Sequence, residues 1–319
     1  MRAKVAPLPL RVAAYLACVL VLIVGVGEAH AEPQASPTGP AQSNWWPAFA
    51  YSLANPTAIP IGLNDFSCTP SAAHPRPIVL VNGILESMYV NWSLLGPQLK
   101  ADGYCVFGLN YGEVEGLPLH QIGPMRDSAA EVGAFVDRVL AATRAQKVDI
   151  VGHSEGGLVP LYFINQLGGA ARVHSMVGIA PITNGVSAYG LLNWIAANPP
   201  IQQGIGSVIP VVTEGTAGSK FIEETGAGGW TRTGVEYTTI TSRYDLVVQV
   251  AESQLPAGPT VSNIVIQDLC PADLADHNTV VYDENVLRLV RNALDPANSA
   301  PVACNSVIPF IHQSPVTPG

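Results

Sequence analysis

Charge is the scarcest feature of this sequence. Asp, Glu, Lys and Arg make up 12% of its 319 residues, about half the usual share. Runs of Lys or Arg are absent and the formal net charge is −9, so a nucleic-acid partner is excluded on electrostatic grounds. Cys-x-x-Cys spacing is missing, and no cluster of His accompanies the five cysteines. That removes the usual zinc patterns, and no metal or cofactor is expected. Internal repeats are missing too. Beyond residue 31 no apolar run is long enough to cross a bilayer, so the mature chain is expected to be soluble and to carry no membrane span.

The one long apolar run lies at the N-terminus. Arg2, Lys4 and Arg11 flank an almost wholly apolar stretch from Val12 to Val26, which leads to Ala29-His30-Ala31. This is the layout of a secretory signal peptide, residues 1–31, with cleavage expected after Ala31 and the mature protein secreted. An uncleaved anchor would more often have about 20 apolar residues and no cleavage signal. Cys18 falls inside this segment, and Tyr15-Leu16-Ala17 before it is a poor match to a lipid-attachment signal. Losing the segment removes Arg2, Lys4, Arg11 and Glu28, leaving 12 basic and 23 acidic residues and a net charge of −11. It also leaves Cys68, Cys105, Cys270 and Cys304, an even set suited to two disulfides in an oxidising compartment. Three pairings are open. The local one, Cys68 with Cys105 and Cys270 with Cys304, closes two loops of similar length.

Residues 32–66 are rich in Pro, Ala, Ser and Asn and read as an extended arm over the core, with an aromatic pair at Trp45-Trp46. Residues 67–305 read as one domain and 306–319 as a tail. Ile78-Val79-Leu80-Val81 is a short continuous apolar run, as in a strand buried on both faces of a parallel sheet. Further strands are expected at Tyr104–Leu109, Val148–Val151, Val173–Ile179, Tyr237–Thr241 and Ile264–Ile266. Val132, Phe135, Val136, Val139 and Leu140 follow i, i+3, i+4, i+7, i+8 spacing, so a helix capped by Asp127 or Ser128 is expected there. Val286, Val290 and Leu294 mark a closing helix that stops before Pro296. Strands alternating with helices predict an α/β architecture, a mostly parallel central sheet with helices on both faces. Residues 183–234 break the alternation, mixing apolar patches with Pro and Gly. A segment this long inside a domain reads as a lid or pocket wall, with two decorative surface helices as the alternative.

Gly152-His153-Ser154-Glu155-Gly156 is a Gly-x-Ser-x-Gly pattern placed between a strand and an apolar helix. A serine on such a sharp turn needs unusual backbone angles, and glycines on both sides remove Cβ groups that would strike the strand and helix. A serine hydroxyl is a weak nucleophile, so a histidine must take its proton and a carboxylate must orient that histidine. Among the later histidines, His174 lies within a strand and His312 in the Pro-rich tail. His277 falls in the loop between the last strand and the last helix, at the sheet edge where a site forms. Asp245 follows the strand ending at Thr241 and is the favoured acid, with Asp268, Asp273 and Asp276 as rivals. Oxyanion donors are expected from the backbone N–H groups of Glu155 and of Ile84, in the loop Asn82-Gly83-Ile84-Leu85. Asn91-Trp92-Ser93 is a formal glycosylation sequon to which no weight attaches in a sequence with a bacterial-type leader.

Pro77 to Asn82, Trp92, Gly103-Tyr104, the Ser154 elbow, Arg243-Tyr244-Asp245-Leu246-Val247-Val248 and Asp276-His277 together resemble the secreted class 2 bacterial lipases. The chain is also similar to the yeast lipase B type. The resemblance runs over about residues 66–305 and is weak in 183–234. It implies an α/β-hydrolase fold with a lid-like insertion and a cofactor-free hydrolase of acylglycerols or simpler esters acting through an acyl-enzyme. Ser154, Asp245 and His277 would be its triad and Ile84 and Glu155 its oxyanion amides. It also supports the local cysteine pairing. Two departures stand out: Asn82-Gly83 where His-Gly is usual, and Glu155 where a neutral residue is commoner. A carboxylate beside an oxyanion would repel it unless turned away or paired, or else the pH optimum moves with its protonation. Other readings are a polyester depolymerase, a cell-envelope acyltransferase, or a non-catalytic binding protein on the same scaffold.

Overall fold

The computed structural model describes residues 36–114, 119–312 and 314–316. The expected signal peptide and Cys18 lie outside them. Residues Pro37–Gly319 form one compact unit. Its sheet has six strands: β3 (Ile78–Val81), β4 (Val106–Leu109), β5 (Val148–His153), β6 (Val173–Ile179), β7 (Glu236–Thr241) and β8 (Val261–Val265). Their spatial order is β4-β3-β5-β6-β7-β8, and every neighbouring pair is parallel.

The unbroken apolar runs are explained by two cores, one on each face. In β3, Ile78 and Leu80 enter the core shared with Trp92, Val286 and Val290. Val79 and Val81 enter the other, shared with Val132, Val136, Leu158 and Phe163. All four β3 residues are fully buried, worth about 1.5–3 kcal/mol each for the apolar side chains. The helices Trp45–Ala54 and Glu284–Leu294 contribute to the first core, and Met125–Thr143 and Glu155–Gln166 to the second. Disulfides join Cys68 to Cys105 and Cys270 to Cys304, the local pairing.

Local pattern misjudged several elements. The segment 32–66 is not simply an extended arm: two-residue strands β1 (Thr38–Gly39) and β2 (Ile59–Pro60) pair in parallel, and between them Asn44 caps a ten-residue helix, Trp45–Ala54. The helix expected to start at Asp127 or Ser128 begins at Met125, with Pro124 as its N-cap and no side-chain bond from that cap. Its leading amide, Met125 N–H, donates instead to Glu214 Oε2 at 2.6 Å, a carboxylate 89 residues away that local sequence cannot reveal. The last strand ends at Val265, and Ile266 opens a short helix. Residues 183–234 hold four short helices rather than two: Leu191–Ala196, Pro199–Gly206, Pro210–Glu214 and Lys220–Gly226. Arg126 ties this insertion to the core through Glu214 at 2.9 Å and Glu224 at 2.7 Å. Among the described residues no helix is long and apolar enough to cross a membrane.

Candidate active site

The strand order reverses at β3 and β5. β3 leads outward to β4 on one side while β5 leads to β6 on the other, which makes their carboxyl ends the place where a site is expected in such a sheet. The loop after β3 and the turn after β5 meet there. A Cβ added to Gly83 would lie 3.1 Å from Ser154 Cβ, which brings the loop backbone against the serine.

Ser154 has φ 55° and ψ −119°, a strained setting for a residue with a side chain. The flanking glycines are obligatory. A Cβ on Gly152 would lie 1.8 Å from the Gly156 carbonyl oxygen, and one on Gly156 would lie 2.0 Å from that of Val81. Both obstacles are backbone and cannot step aside. The turn ends in the Glu155–Gln166 helix, so the Glu155 amide is among the leading N–H groups that have no partner within the helix.

Three of the sequence-derived residues come together in one chain of hydrogen bonds. His277 Nε2 is 2.9 Å from Ser154 Oγ, and His277 Nδ1 is 2.7 Å from Asp245 Oδ2. The other carboxylate oxygen of Asp245 accepts from Val247 N–H at 2.7 Å and Val248 N–H at 2.8 Å. The turn after β7 therefore holds the carboxylate through bonds separate from the one to the histidine. All three residues are buried. For His277 burial opposes the charged ring, but the charge and hydrogen bond of Asp245, with smaller help from Glu86 and Asp276, raise its pKa above the ordinary histidine value.

The rival residues are engaged elsewhere. Asp268 pairs with Arg243 at 2.6 Å on the surface. Asp273 holds Asn285 at 2.8 Å, and Asp276 accepts from Thr279 Oγ1 and, at 2.7 Å, from Phe310 N–H. His174 bonds Asp149 at 3.0 Å within the sheet. The sequon residue Asn91 is fully buried and is not an accessible glycan acceptor.

Glu155 is neither paired nor exposed to water. It is 1% exposed, and neither carboxyl oxygen has a partner among the described residues. Burial, with a smaller contribution from the charge of Glu214, pushes its pKa well above the ordinary value. An isolated buried carboxylate is far costlier than the neutral acid, so the proton stays on, and an uncharged side chain does not repel an oxyanion.

Sequence reasoning missed what lies beneath these residues. His153, the variable residue of the elbow, is 2.9 Å through Nε2 from the carbonyl oxygen of His277. Its ring faces Glu86 and Asn91 from the loop region after β3. The elbow pattern marked position 153, but nothing in it foretold these partners.

Two comparisons place the scaffold. The family described as Lipase (class 2) matches residues 75–289, more than half of the chain. Lipase B of Aspergillus fumigatus is similar in structure at 17% identity and a TM-score of 0.57, over 94% of this chain and 73% of that one. The mature form of Bacillus licheniformis lipase BlEst2 is similar at 16% identity and a TM-score of 0.53, over 70% of this chain and 94% of that one. At such identities the structural likeness speaks for the α/β-hydrolase fold alone. The family match goes further: the chain belongs to the class 2 lipases, and with them to the carboxylic ester hydrolases.

Proposed function

We propose that the protein is a secreted lipase or carboxylesterase that hydrolyses acylglycerol-like esters with Ser154, His277 and Asp245 through an acyl-enzyme. The observation that carries this reading is the hydrogen-bonded chain from Ser154 through His277 to Asp245. Ser154 Oγ attacks the ester carbonyl carbon while His277 Nε2 takes the hydroxyl proton. Asp245 holds the imidazole in the tautomer that has Nε2 free to accept and stabilises the imidazolium that forms. The negative charge on the former carbonyl oxygen is met by the backbone N–H groups of Ile84 and Glu155. His277 then gives its proton to the departing alcohol oxygen, leaving an acyl-serine. Water then bonds to the acyl carbon as it loses a proton to the same nitrogen, the bond to Ser154 Oγ breaks, His277 returns the proton to that oxygen, and the acid leaves.

Two features of the chain support export. Its cysteines pair in two disulfides, as suits an oxidising compartment, and its first 31 residues carry the leader pattern. Residues 183–234 act as a lid or pocket wall in this reading. From Ser175 to Thr213 there is no Asp, Glu, Lys or Arg, while Trp194 is 51% and Val208 52% exposed. Such a surface meets lipid by apolar contact rather than charge.

Hydrolysis of p-nitrophenyl esters from acetate to palmitate, with Ser154→Ala in parallel, tests the reading. Activity confined to the wild type is expected, and the preferred acyl length then separates lipase from short-chain esterase. The acid side of the kcat/KM profile should lie above the ordinary histidine range, because His277 must be neutral to act and its pKa is raised. Undiminished hydrolysis by Ser154→Ala would refute the assignment.

A further inference from the structure

Glu86 takes no part in the steps above, yet it is buried beneath them. Three side chains converge on its carboxylate. Oε1 accepts from Trp45 Nε1 at 2.6 Å. Oε2 accepts from Asn91 Nδ2 and lies 3.3 Å from His153 Nδ1. Burial alone would push this carboxyl up, but the bond and charge of His153, with the bonds from Asn91 and Trp45, outweigh it and hold the pKa below its usual value.

Each partner also grips part of the site. Asn91 Oδ1 accepts from Gly83 N–H at 2.8 Å, one residue before the Ile84 amide. His153 Nε2 meets the His277 carbonyl oxygen at 2.9 Å. A carbonyl only accepts, so that nitrogen carries a proton. The other ring nitrogen faces two acceptors, Glu86 Oε2 and, at 3.3 Å, Asn91 Oδ1. The same Gly83 would bring an added Cβ within 3.2 Å of His153 Nδ1, so loop, elbow and histidine backbone are locked at one point.

We propose that Glu86 is a positioning residue: through Asn91 and His153 its carboxylate ties the loop bearing the Ile84 amide to the backbone of His277, setting the distance between oxyanion donors and base. This rests on the triad reading above. A shift of about 1 Å between such groups is enough to cost on the order of 100-fold in rate. Glu86 has a second, electrostatic effect. The ionisable groups around His277 are Asp245, Glu86, Asp276 and His153, and the negative charge of Glu86 helps raise the His277 pKa.

The test compares wild type, Ser154→Ala, Glu86→Gln, His153→Asn and the Glu86→Gln/His153→Asn double variant on p-nitrophenyl butyrate across pH. A serine-reactive phosphonate counts competent sites, so that rates refer to folded protein. Glu86→Gln should lower kcat per site by about 10- to 100-fold with KM unchanged, and its acid limb should move to lower pH as His277 loses a neighbouring negative charge. A merely structural role would reduce the number of titratable sites without moving that limb. His153→Asn should lower kcat by a similar factor, and the double variant no further. Wild-type kcat per site and an unmoved limb in Glu86→Gln would overturn the proposal while Ser154-dependent activity left the triad standing. Should Glu86→Gln fail to fold, wild-type kcat in His153→Asn would overturn it equally. Activity surviving in Ser154→Ala would overturn both readings.

Discussion

Replacing Glu155 by Gln keeps the shape of the side chain and removes its proton chemistry. In the fold this carboxyl is 1% exposed, without a hydrogen-bond partner, and its pKa is pushed well above the ordinary value by burial and then by Glu214. In the unfolded chain it titrates at about 4.3. Below that pH both states hold the proton, and the stability linked to it is fully present. As pH rises, the unfolded chain sheds the proton while the native chain keeps it, so native stability falls by about 1.4 kcal/mol per pH unit. The decline ends once pH passes the folded value. Glu155→Gln has no proton to lose in either state and escapes this slope. Urea unfolding of both proteins, disulfides intact, at unit steps from about pH 4 to pH 8 measures the effect. Every other titrating group cancels in the difference. The variant should gain on the wild type by about 1.4 kcal/mol per pH unit across the window between the unfolded and folded values. Parallel stability curves would refute the reasoning, because they would require Glu155 to ionise normally inside the fold. The account of how a carboxyl can sit next to Ser154 would then fail.

Asp245→Asn preserves the shape of the group that orients His277 but presents a donor to Nδ1, favouring the tautomer whose Nε2 cannot accept the serine proton. A kcat loss on the order of 10⁴-fold is expected by analogy with serine proteases, with the 2.7 Å contact to His277 as its structural basis. Steady-state kinetics reads this out, and a loss below about tenfold would show that the carboxylate charge is not needed. Replacing Cys68 and Cys105 by Ser opens a loop whose ends are 37 residues apart, which should lower unfolding free energy by at most about 4 kcal/mol. Denaturant unfolding checks it, and an unchanged midpoint would mean that the unfolded chain is not constrained by this bridge.

Much of the fold was legible because its signals are short-ranged. A strand buried on both faces must be apolar at every position, and Ile78 to Val81 read as a strand for that reason. The need for glycine at 152 and 156 follows from a strand-to-helix turn only a few residues long, and the structure finds backbone atoms where their Cβ groups would be. The helix start at Met125 was not legible, since the group that receives its first amide is Glu214. Nor was the Trp45–Ala54 helix, whose exposed face is unusually apolar and whose anchoring contacts, such as Tyr51 stacked on Tyr89 and Trp45 bonded to Glu86, lie far along the chain.

At the site the division is the same. The residue types, their order along the chain and their placement after strands follow from sequence alone, because a nucleophile, a base and an acid must each stand at a strand's carboxyl end. Sequence left Asp245 in competition with Asp268, Asp273 and Asp276, and what separates them is where each carboxylate finds its donors. Sequence likewise described Glu155 as a charge beside an oxyanion, whereas its surroundings make it a neutral acid. The Glu86 network had no sequence signature, because its bonds run from Trp45 to Glu86 across 41 residues and from His153 to His277 across 124. Protonation and long-range pairing depend on solvent exclusion and on which groups converge, and those exist only once the chain has folded.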